Sequence, residues 1–168
     1  EEHELIINHD YRKSGISQLE RFFFPISDQT TFQVNSVFRE ISKGKINKPK
    51  KIIIKGRDFI IQNFFEGLAR FDFNNLCGVS IGAEDYIKIA NCCNFILIDN
   101  VPNFSDENAD KQQRFITLID IIYEKKIPIM LSANFNYKNY KSSRRLINPY
   151  KRTISRLFEL ASPKFSIN

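Results

Sequence analysis

Two short apolar runs separated by an amphipathic stretch are the feature that most constrains the fold of this chain. Asn94 to Asp99 and Ile127 to Ala133 are rich in apolar residues and have the length of buried strands. Between them, Glu107 to Lys125 repeats its apolar residues with the period of an α-helix. A parallel strand pair needs a long crossover, and a helix of this length supplies one. The sequence therefore predicts a parallel βαβ unit.

Further elements are predicted from apolar periodicity and from turn residues elsewhere in the chain. From the N-terminus they are a short strand at Glu4 to Ile7, an extended apolar segment at Leu19 to Pro25, an amphipathic helix at 28 to 42, a β-hairpin formed by Ile52 to Ile54 and Asp58 to Phe64, a third strand at Phe71 to Phe73 that leads into a helical turn, a helix at Ala83 to Cys92, and a final helix from Pro149. The predicted class is mixed α/β: a β-hairpin and helices, followed by the parallel βαβ unit and a C-terminal helix.

Composition places the chain among ordinary globular domains. The 168 residues are 42% hydrophobic and 26% charged, which excludes a disordered polar chain. No apolar run approaches the roughly 20 residues that span a bilayer, so membrane insertion is not expected. The chain opens with Glu1 and shows no signal peptide, which suggests a piece of a longer protein. We expect a single domain, with a helical and linker part at 1–50 and an α/β part at 51–168.

Metal and nucleophile chemistry find little support in the residue pattern. Cys77, Cys92 and Cys93 form no C-x-x-C pair, and the two histidines, His3 and His9, lie far from them in the sequence. No zinc site is expected, and no metal ligands are assigned. A Ser-His-acid or Cys-His catalytic set is not credible with only these two histidines.

The formal charge of +6 is accompanied by two clusters of basic residues. The first group is the candidate basic patch, Lys45, Lys48, Lys50, Lys51, Lys55 and Arg57. The second comprises Lys138, Lys141, Arg144, Arg145, Lys151 and Arg152. Such groups indicate either a nucleic acid or an acidic partner, or simply a solvated loop and a solvated helix end. The sequence alone leaves these alternatives open, with the solvated reading favoured.

A Walker A sequence, Gly-x-x-x-x-Gly-Lys-Ser/Thr, is absent from the chain. The one Gly-Lys pair is Gly44-Lys45, and Arg39 stands where the first glycine would be needed. The motif requires its glycines because backbone amides must wrap the phosphates. We therefore expect that these 168 residues alone neither bind nor hydrolyse ATP.

Six short motifs nevertheless occur in a characteristic order over about 100 residues. They are F-D-F-N-N-L-C from Phe71, G-A-E-D-Y-I-K-I-A from Gly82, I-D-N-V-P from Ile98, R-F-I-T-L-I-D-I-I-Y-E from Arg114, L-S-A-N from Leu131 and R-T-I-S-R-L-F-E-L from Arg152. Together they resemble the C-terminal region of the ZapE and AFG-one-like family of AAA+ P-loop ATPases. The resemblance implies that the nucleotide-binding Walker A and Walker B segments belong to an N-terminal half that this sequence lacks.

The resemblance also implies what the full protein does. It would bind ATP with Mg²⁺, assemble as a homo-oligomer and use hydrolysis to remodel a protein partner. In bacteria the partner would be the cell-division ring in the cytoplasm, and in mitochondria it would be a membrane or respiratory protein on the matrix side. The present chain would supply intersubunit contacts, an arginine finger and partner contacts.

Arg152 and Arg156 are the candidate catalytic residues. They stand at i and i+4 of the final helix, so both guanidinium groups leave the same face. By resemblance they belong to the family's terminal R-x-x-S-R-L motif, and either one would act in trans on a phosphate bound by a neighbouring subunit. The alternative is structural, with Arg156 paired to Glu159 and Arg152 meeting solvent or another acid.

Four further residues are weaker candidates for a place near the nucleotide. Asp99 ends an apolar strand in the manner of a Walker B acid, and Asn134 follows the next strand like a sensor residue. Arg114 begins a helix, where a cation is electrostatically unfavourable unless it has a specific partner. Arg12 lies in Asp10-Tyr11-Arg12, which resembles a family motif. The alternative for Asp99 is that it caps a turn while its strand extends the sheet.

Two functions of other classes stay open at this point. One is a protein-interaction module without enzymatic activity, and the other is a basic domain that binds nucleic acid through the two lysine and arginine groups.

Overall fold

The computed structural model describes residues 21–163 and 165. Its strands are β1 (Phe22–Phe23), β2 (Lys50–Ile54), β3 (Arg57–Ile61), β4 (Asn63–Phe65), β5 (Leu68–Asp72), β6 (Phe95–Val101) and β7 (Ile129–Ala133). Its α-helices are α1 (Asp28–Ile41), α2 (Phe73–Cys77), α3 (Ala83–Asn91), α4 (Ala109–Glu124) and α5 (Ile147–Leu160). Two 3₁₀ turns, Asp106–Asn108 and Arg144–Leu146, precede α4 and α5. The predicted strand at Glu4 to Ile7 and the candidate Arg12 lie outside the described residues.

Five of the strands form one sheet in the order β1-β7-β6-β5-β4. Strands β1, β7, β6 and β5 are parallel, while β4 is antiparallel to β5. The pairing of Ile98 with Leu131 joins β6 to β7, with α4 as the crossover between them. The predicted mixed α/β class and its parallel βαβ unit are thereby confirmed.

Helices cover both faces of the sheet, which explains the continuous apolar runs of its central strands. On one face, Val34 and Phe38 of α1 pack with Phe95, Leu97 and residues of neighbouring strands. On the other face, alternate residues of β6 join the main core with the inner sides of α2 to α5. Because strand side chains alternate in direction, β6 supplies both layers and is buried on each.

The helix predicted at 28 to 42 is present as α1, and its start has a clear chemical cause. The Ser27 hydroxyl accepts a hydrogen bond from the Thr30 amide at 3.2 Å, and the Thr30 hydroxyl accepts one from the Ser27 amide at 2.9 Å. This reciprocal capping satisfies two amides that the first turn leaves without helical acceptors.

The predicted hairpin is present, but its second strand differs from the prediction. Strands β2 and β3 form a separate two-stranded sheet, and their two-residue turn has positive φ at both Lys55 and Gly56, as a tight hairpin turn requires. The predicted single strand from Asp58 to Phe64 is interrupted, because Asn63–Phe65 leaves β3 and pairs with β5 in the main sheet. The change of partner falls at the polar pair Gln62-Asn63, between the apolar residues of the two strands.

The final helix begins two residues before the predicted start at Pro149. Ile147 is its first residue, which places Pro149 in the first turn. Amides of the first turn have no helical acceptor, so a proline costs nothing there. Among the described residues, no helix is long and apolar enough to cross a membrane.

Candidate functional site

The carboxyl ends of the parallel strands bring several polar side chains to one edge of the sheet. Asp72 ends β5, Asp99 and Asn100 lie near the end of β6, and Asn134 follows β7. This edge is where open α/β sheets usually bind their ligands. Whether these side chains can contact a ligand depends on the hydrogen bonds that each already makes within the protein.

Asp99 is held by a guanidinium from the neighbouring strand. Arg70 Nε donates to Asp99 Oδ2 at 2.7 Å, and Arg70 Nη2 donates to Oδ1 at 3.2 Å. The same Nη2 donates to the Asn35 side chain at 2.8 Å, and the guanidinium lies 5.4 Å from the centre of the Phe38 ring. Sequence reasoning missed Arg70, although a cation inside the strand that runs into Phe71 and Phe73 was a visible signal. Both oxygens of Asp99 therefore accept a hydrogen bond from Arg70.

Asn100 adopts a left-handed backbone conformation, with φ of 65°. Its backbone amide donates to the Ser132 hydroxyl at 2.9 Å, and its side-chain Nδ2 donates to Asp72 Oδ1 at 3.0 Å. The register between β6 and β7 shifts at this point. Asn100 thus links the ends of β5, β6 and β7.

Asn134 connects the end of β7 to the start of α1. Its side-chain oxygen accepts a hydrogen bond from the Ile26 amide at 3.1 Å, and its own amide donates to the Val101 carbonyl at 3.0 Å. Asn134 and Asp99 thus lie at the same sheet edge, but each is bound to a different element.

An open cleft of about 590 Å³ lies between the β2–β3 hairpin and this edge, and we call it the hairpin cleft. Its walls include Arg57, Ile60, Asn63, Asp72, Asn75 and Val79. Arg70 and Asp99 also contribute to its lining. Of the two predicted edge residues, Asp99 therefore borders a cleft whose other wall is the hairpin, and Asn134 is not part of its lining.

Arg152 and Arg156 meet at a single carboxylate, that of Asp120 on the adjacent helix α4. Arg156 Nη1 donates to Asp120 Oδ1 of α4 at 2.7 Å, whereas Arg152 Nη2 is 3.7 Å from Oδ2. The Arg156 guanidinium also lies 4.4 Å from the centre of the Tyr123 ring. The Arg152 side chain is 53% exposed and that of Arg156 is 28% exposed. Arg156 is the anchored member of the pair and Arg152 the accessible one.

The alternative pairing of Arg156 with Glu159 was wrong. Glu159 instead accepts a hydrogen bond from the Tyr123 hydroxyl at 2.9 Å, and this bond raises the pKa of Tyr123. Asp120 takes the place of Glu159 because it faces α5 from the adjacent helix. The acid nearest in sequence was therefore not the acid nearest in space.

Arg114 has the specific partner that its position demanded. Its Nε donates to the Cys77 carbonyl at 2.7 Å, at the end of α2, and its Nη2 lies 3.4 Å from Asp110. A cation at the carboxyl end of a helix is favourable because unpaired carbonyls collect there. Arg114 joins α4 to α2 and is not grouped with Arg152 and Arg156.

The residues of the basic patch are largely exposed and only loosely paired. Lys45 lies 3.9 Å from Glu66, and Lys51 lies 3.8 Å from Asp58. Lys55 reaches the Ser80 carbonyl at 3.5 Å. Lys48, Lys50 and Arg57 have no acidic partner among the described residues. Exposed pairs at such distances neutralise little, so the patch keeps its positive charge.

Arg21 is a buried cation that sequence reasoning also missed. Its Nε donates to the Ile129 carbonyl at 2.9 Å, and its Nη2 donates to the carbonyls of Leu160 at 3.0 Å and Phe165 at 2.8 Å. Burial lowers the pKa of Arg21 to about 10. The residue closes the carboxyl end of α5, which is a structural role. Within the described residues, no group of three His, Cys, Asp or Glu side chains is placed to hold a metal ion.

Comparison with known proteins agrees with these motifs. The AFG1-like ATPase family matches residues 5–167. Lactation elevated protein 1 homolog B of Danio rerio is 28% identical over 128 residues, which cover 74% of this chain and 25% of that protein. Cell division protein ZapE of Escherichia coli is 24% identical over 156 residues, which cover 93% of this chain and 42% of that protein.

The chain therefore spans less than half the length of either relative. No solved structure matches it. The family match covers nearly every residue of the chain, and the two relatives align with most of it. This chain belongs to the AFG1-like ATPase family.

Proposed function

We propose that the protein containing this chain is an AAA+ ATPase that hydrolyses ATP with Mg²⁺ as a homo-oligomer and uses the energy to remodel a partner protein. The observation that carries the proposal is the unequal engagement of the two α5 arginines by Asp120. It leaves one permanently charged guanidinium, that of Arg152, accessible and only loosely paired. Membership of an ATPase family supports the proposal that the protein uses ATP.

Arg152 is the residue that we assign to contact the phosphate bound by the neighbouring subunit. Arg156 already shares a short hydrogen bond with Asp120 and stacks on Tyr123, so removing it from this position would break two contacts. Arg152 makes only the 3.7 Å approach to the same carboxylate and can leave it at little cost. A planar guanidinium suits a phosphate, and an arginine supplied in trans accelerates phosphoryl transfer by about 10³-fold or more.

The nucleotide itself would be held outside these residues. The chain contains no Walker A sequence, and the carboxylate that resembles a Walker B acid, Asp99, is bound by Arg70. The residues present therefore do not fit ATP and Mg²⁺ as a complete site. We assign ATP binding to another part of the full protein, and to the present chain the contact between subunits.

The name of the bacterial relative connects that protein with cell division. By that likeness, a bacterial protein of this family would act on the division ring in the cytoplasm. A mitochondrial one would act on membrane or respiratory proteins from the matrix side.

The test is ATP turnover by the full-length protein, with Arg152→Ala and Arg156→Ala measured singly. Each variant is also mixed with a full-length subunit whose P-loop lysine is replaced. If Arg152 acts in trans, Arg152→Ala binds ATP normally but loses turnover, and mixing restores activity. This complementation works because each mixed interface can combine one intact arginine with one intact P-loop.

Normal turnover by both variants would overturn the arginine assignment and favour a protein-interaction module without a part in catalysis. Loss of turnover that mixing does not restore would point to a structural defect in each subunit. Lys151→Ala on the same helix, at an exposed position, is the matched control.

A further inference from the structure

Two residues of α4 and three of α5 meet along the line where these two helices pack together. Asp120 and Tyr123 stand three positions apart on α4, so their side chains leave the same face of the helix. On α5 they meet Arg152, Arg156 and Glu159, which are spaced i, i+4 and i+7. Both helices contribute buried residues to the main core, which fixes the distance between the two faces. We call these five residues the α4–α5 row.

Arg152 is the loosely held member of the α4–α5 row. The Tyr123 hydroxyl donates to Glu159 Oε1 at 2.9 Å, and Arg156 Nη1 donates to Asp120 Oδ1 at 2.7 Å. Arg152 Nη2 lies 3.7 Å from Asp120 Oδ2, a distance that suits an ion pair but is too long for a hydrogen bond. No other acidic side chain of the described residues pairs with Arg152. Its guanidinium is therefore attracted to Asp120 by charge alone.

The carboxylate of Asp120 divides its two oxygens between the two arginines. Oδ1 accepts the hydrogen bond from Arg156, whose guanidinium also lies 4.4 Å from the centre of the Tyr123 ring. The two contacts together fix this guanidinium beside Oδ1. Oδ2 faces Arg152 and accepts no hydrogen bond from any residue that the structure describes. One oxygen of Asp120 thus anchors Arg156, and the other attracts Arg152.

The negative charge of Asp120 also keeps two like charges together on one face of α5. Arg152 and Arg156 stand one helical turn apart, and the Glu159 carboxylate is engaged by Tyr123. Without the charge of Asp120, the two guanidinium groups would repel each other. An unpaired arginine side chain also occupies many rotamers. Asp120 therefore limits the positions of the Arg152 guanidinium. Because the Arg152 side chain is half exposed, a phosphate can replace the carboxylate at little cost.

We propose that Asp120 is the positioning residue of Arg152. It holds the Arg152 guanidinium beside α4 until a phosphate bound by the neighbouring subunit takes the place of the carboxylate. A guanidinium that is restrained beforehand loses less freedom when it contacts the transition state, so the contact stabilises that state more. The inference rests on the proposed trans role of Arg152, and it adds the residue that orients this arginine.

The experiment measures kcat and KM for ATP in the full-length protein. Asp120→Asn keeps the size of the side chain and removes its charge. Because Arg152 then spends less time in the productive position, kcat should fall about fivefold. In the proposed function another part of the protein binds ATP, so KM for ATP should stay within about twofold of wild type.

Two further variants separate positioning from a general structural effect. Asp120→Glu keeps the negative charge and should retain about half of the wild-type kcat. In the Arg152→Ala protein, adding Asp120→Asn should cause no further loss of kcat, because Asp120 acts through Arg152.

Matched controls change similar groups elsewhere on α4. Tyr123→Phe removes the hydroxyl that donates to Glu159, and so breaks a hydrogen bond between α4 and α5 without changing Asp120. Asp110→Asn removes a carboxylate that lies 3.4 Å from Arg114 of the same helix. Both variants should keep kcat within about twofold of wild type. A loss in Tyr123→Phe as large as that in Asp120→Asn would attribute the effect to looser helix packing and would overturn the proposal.

Circular dichroism gives the unfolding midpoint of each variant, and kcat is compared below the lowest of them. If Asp120→Asn is unfolded at the assay temperature, the double variant Asp120→Asn with Arg156→Gln replaces the ion pair by two side-chain amides. Its kcat is then compared with that of Arg156→Gln alone, and the same loss of about fivefold is expected.

The results distinguish failure of this proposal from failure of the proposed function. If Arg152→Ala loses turnover while Asp120→Asn keeps the wild-type kcat, Arg152 acts without being positioned by Asp120. A further loss when Asp120→Asn is added to Arg152→Ala would mean that Asp120 acts by another route. An Asp120→Glu protein no more active than Asp120→Asn would show that the negative charge is not what matters. Normal turnover by Arg152→Ala would instead overturn the arginine assignment itself, and this proposal with it.

Discussion

Arg70 and Asp99 join β5 to β6 through two hydrogen bonds of 2.7 and 3.2 Å between side chains that are 21% and 19% exposed. Neighbouring strands are thus connected by a charged pair as well as by their backbones. The pair also gives Asp99 a task that needs no nucleotide.

We predict that Asp99→Asn lowers the free energy of unfolding by about 2 kcal/mol, because the Arg70 guanidinium loses its charged acceptor in a partly buried position. Urea unfolding followed by circular dichroism measures the change. Asp58→Asn is the control, since its pair with Lys51 is exposed and 3.8 Å long, and it should cost no more than about 0.5 kcal/mol. Unchanged stability in Asp99→Asn, together with lost ATP turnover, would place Asp99 at the nucleotide instead.

The two α5 arginines should differ in their effect on stability. Arg156→Ala removes the 2.7 Å bond to Asp120 and the contact with the Tyr123 ring, and should cost about 1.5 kcal/mol. Arg152→Ala should change stability by less than about 0.5 kcal/mol, because its side chain is half exposed. Urea midpoints of the two variants decide the matter. Equal losses of stability in the two variants would mean that both arginines stabilise the contact with Asp120 to the same degree.

Gly78 should resist substitution because of close backbone approach and not because of its own φ of −82°. A Cβ placed there would lie 2.6 Å from the Asn74 carbonyl oxygen, whereas one at Gly82 would meet nothing within 4 Å. We expect Gly78→Ala to cost about 2 kcal/mol or more and Gly82→Ala about 1 kcal/mol, since alanine is a poorer helix N-cap than glycine. Thermal unfolding of both variants tests the difference, and equal melting temperatures would refute the steric explanation.

The three cysteines should react at different rates in the folded protein. Cys77 is fully buried, and burial raises its pKa to about 12. Burial also raises the pKa of Cys93 to about 12. At about pH 8 the thiolate is the reactive form, so iodoacetamide should modify Cys92 first and Cys77 last. Tandem mass spectrometry of tryptic peptides identifies the modified site, and unfolding in urea should remove the order. Early modification of Cys77 in the native state would contradict its burial.

Local sequence patterns predicted the secondary structure better than the contacts of the candidate site. The helix at Asp28–Ile41 and the βαβ unit were predicted because periodicity and capping act between residues close in sequence. The place of β1 beside β7 could not be read in this way, since Arg21 and Ile129 are 108 positions apart. The split between β3 and β4 was missed because an apolar strand looks the same with either partner.

For the candidate residues, sequence reasoning did not predict the contact partners that the structure shows. Arg156 was paired with Glu159, three positions away, because helical spacing is visible in sequence. Its actual acid, Asp120, is 36 positions away on α4. Arg70 and Arg21 were overlooked because their hydrogen-bond acceptors are distant in the sequence. The role of such a cation can be recognised only when the fold shows which acceptors lie beside it.

Arg21 has a mechanical consequence. Its backbone amide donates to the Ala161 carbonyl, and its carbonyl accepts from the Leu131 amide. Its guanidinium donates to the carbonyls of Leu160, the last residue of α5, and of Phe165. The chain thus enters β1 and leaves α5 at the same corner of the sheet. A force applied to the chain before β1 or after α5 would act on the same set of hydrogen bonds. It would therefore be transmitted from one of these segments to the other before the rest of the domain unfolds.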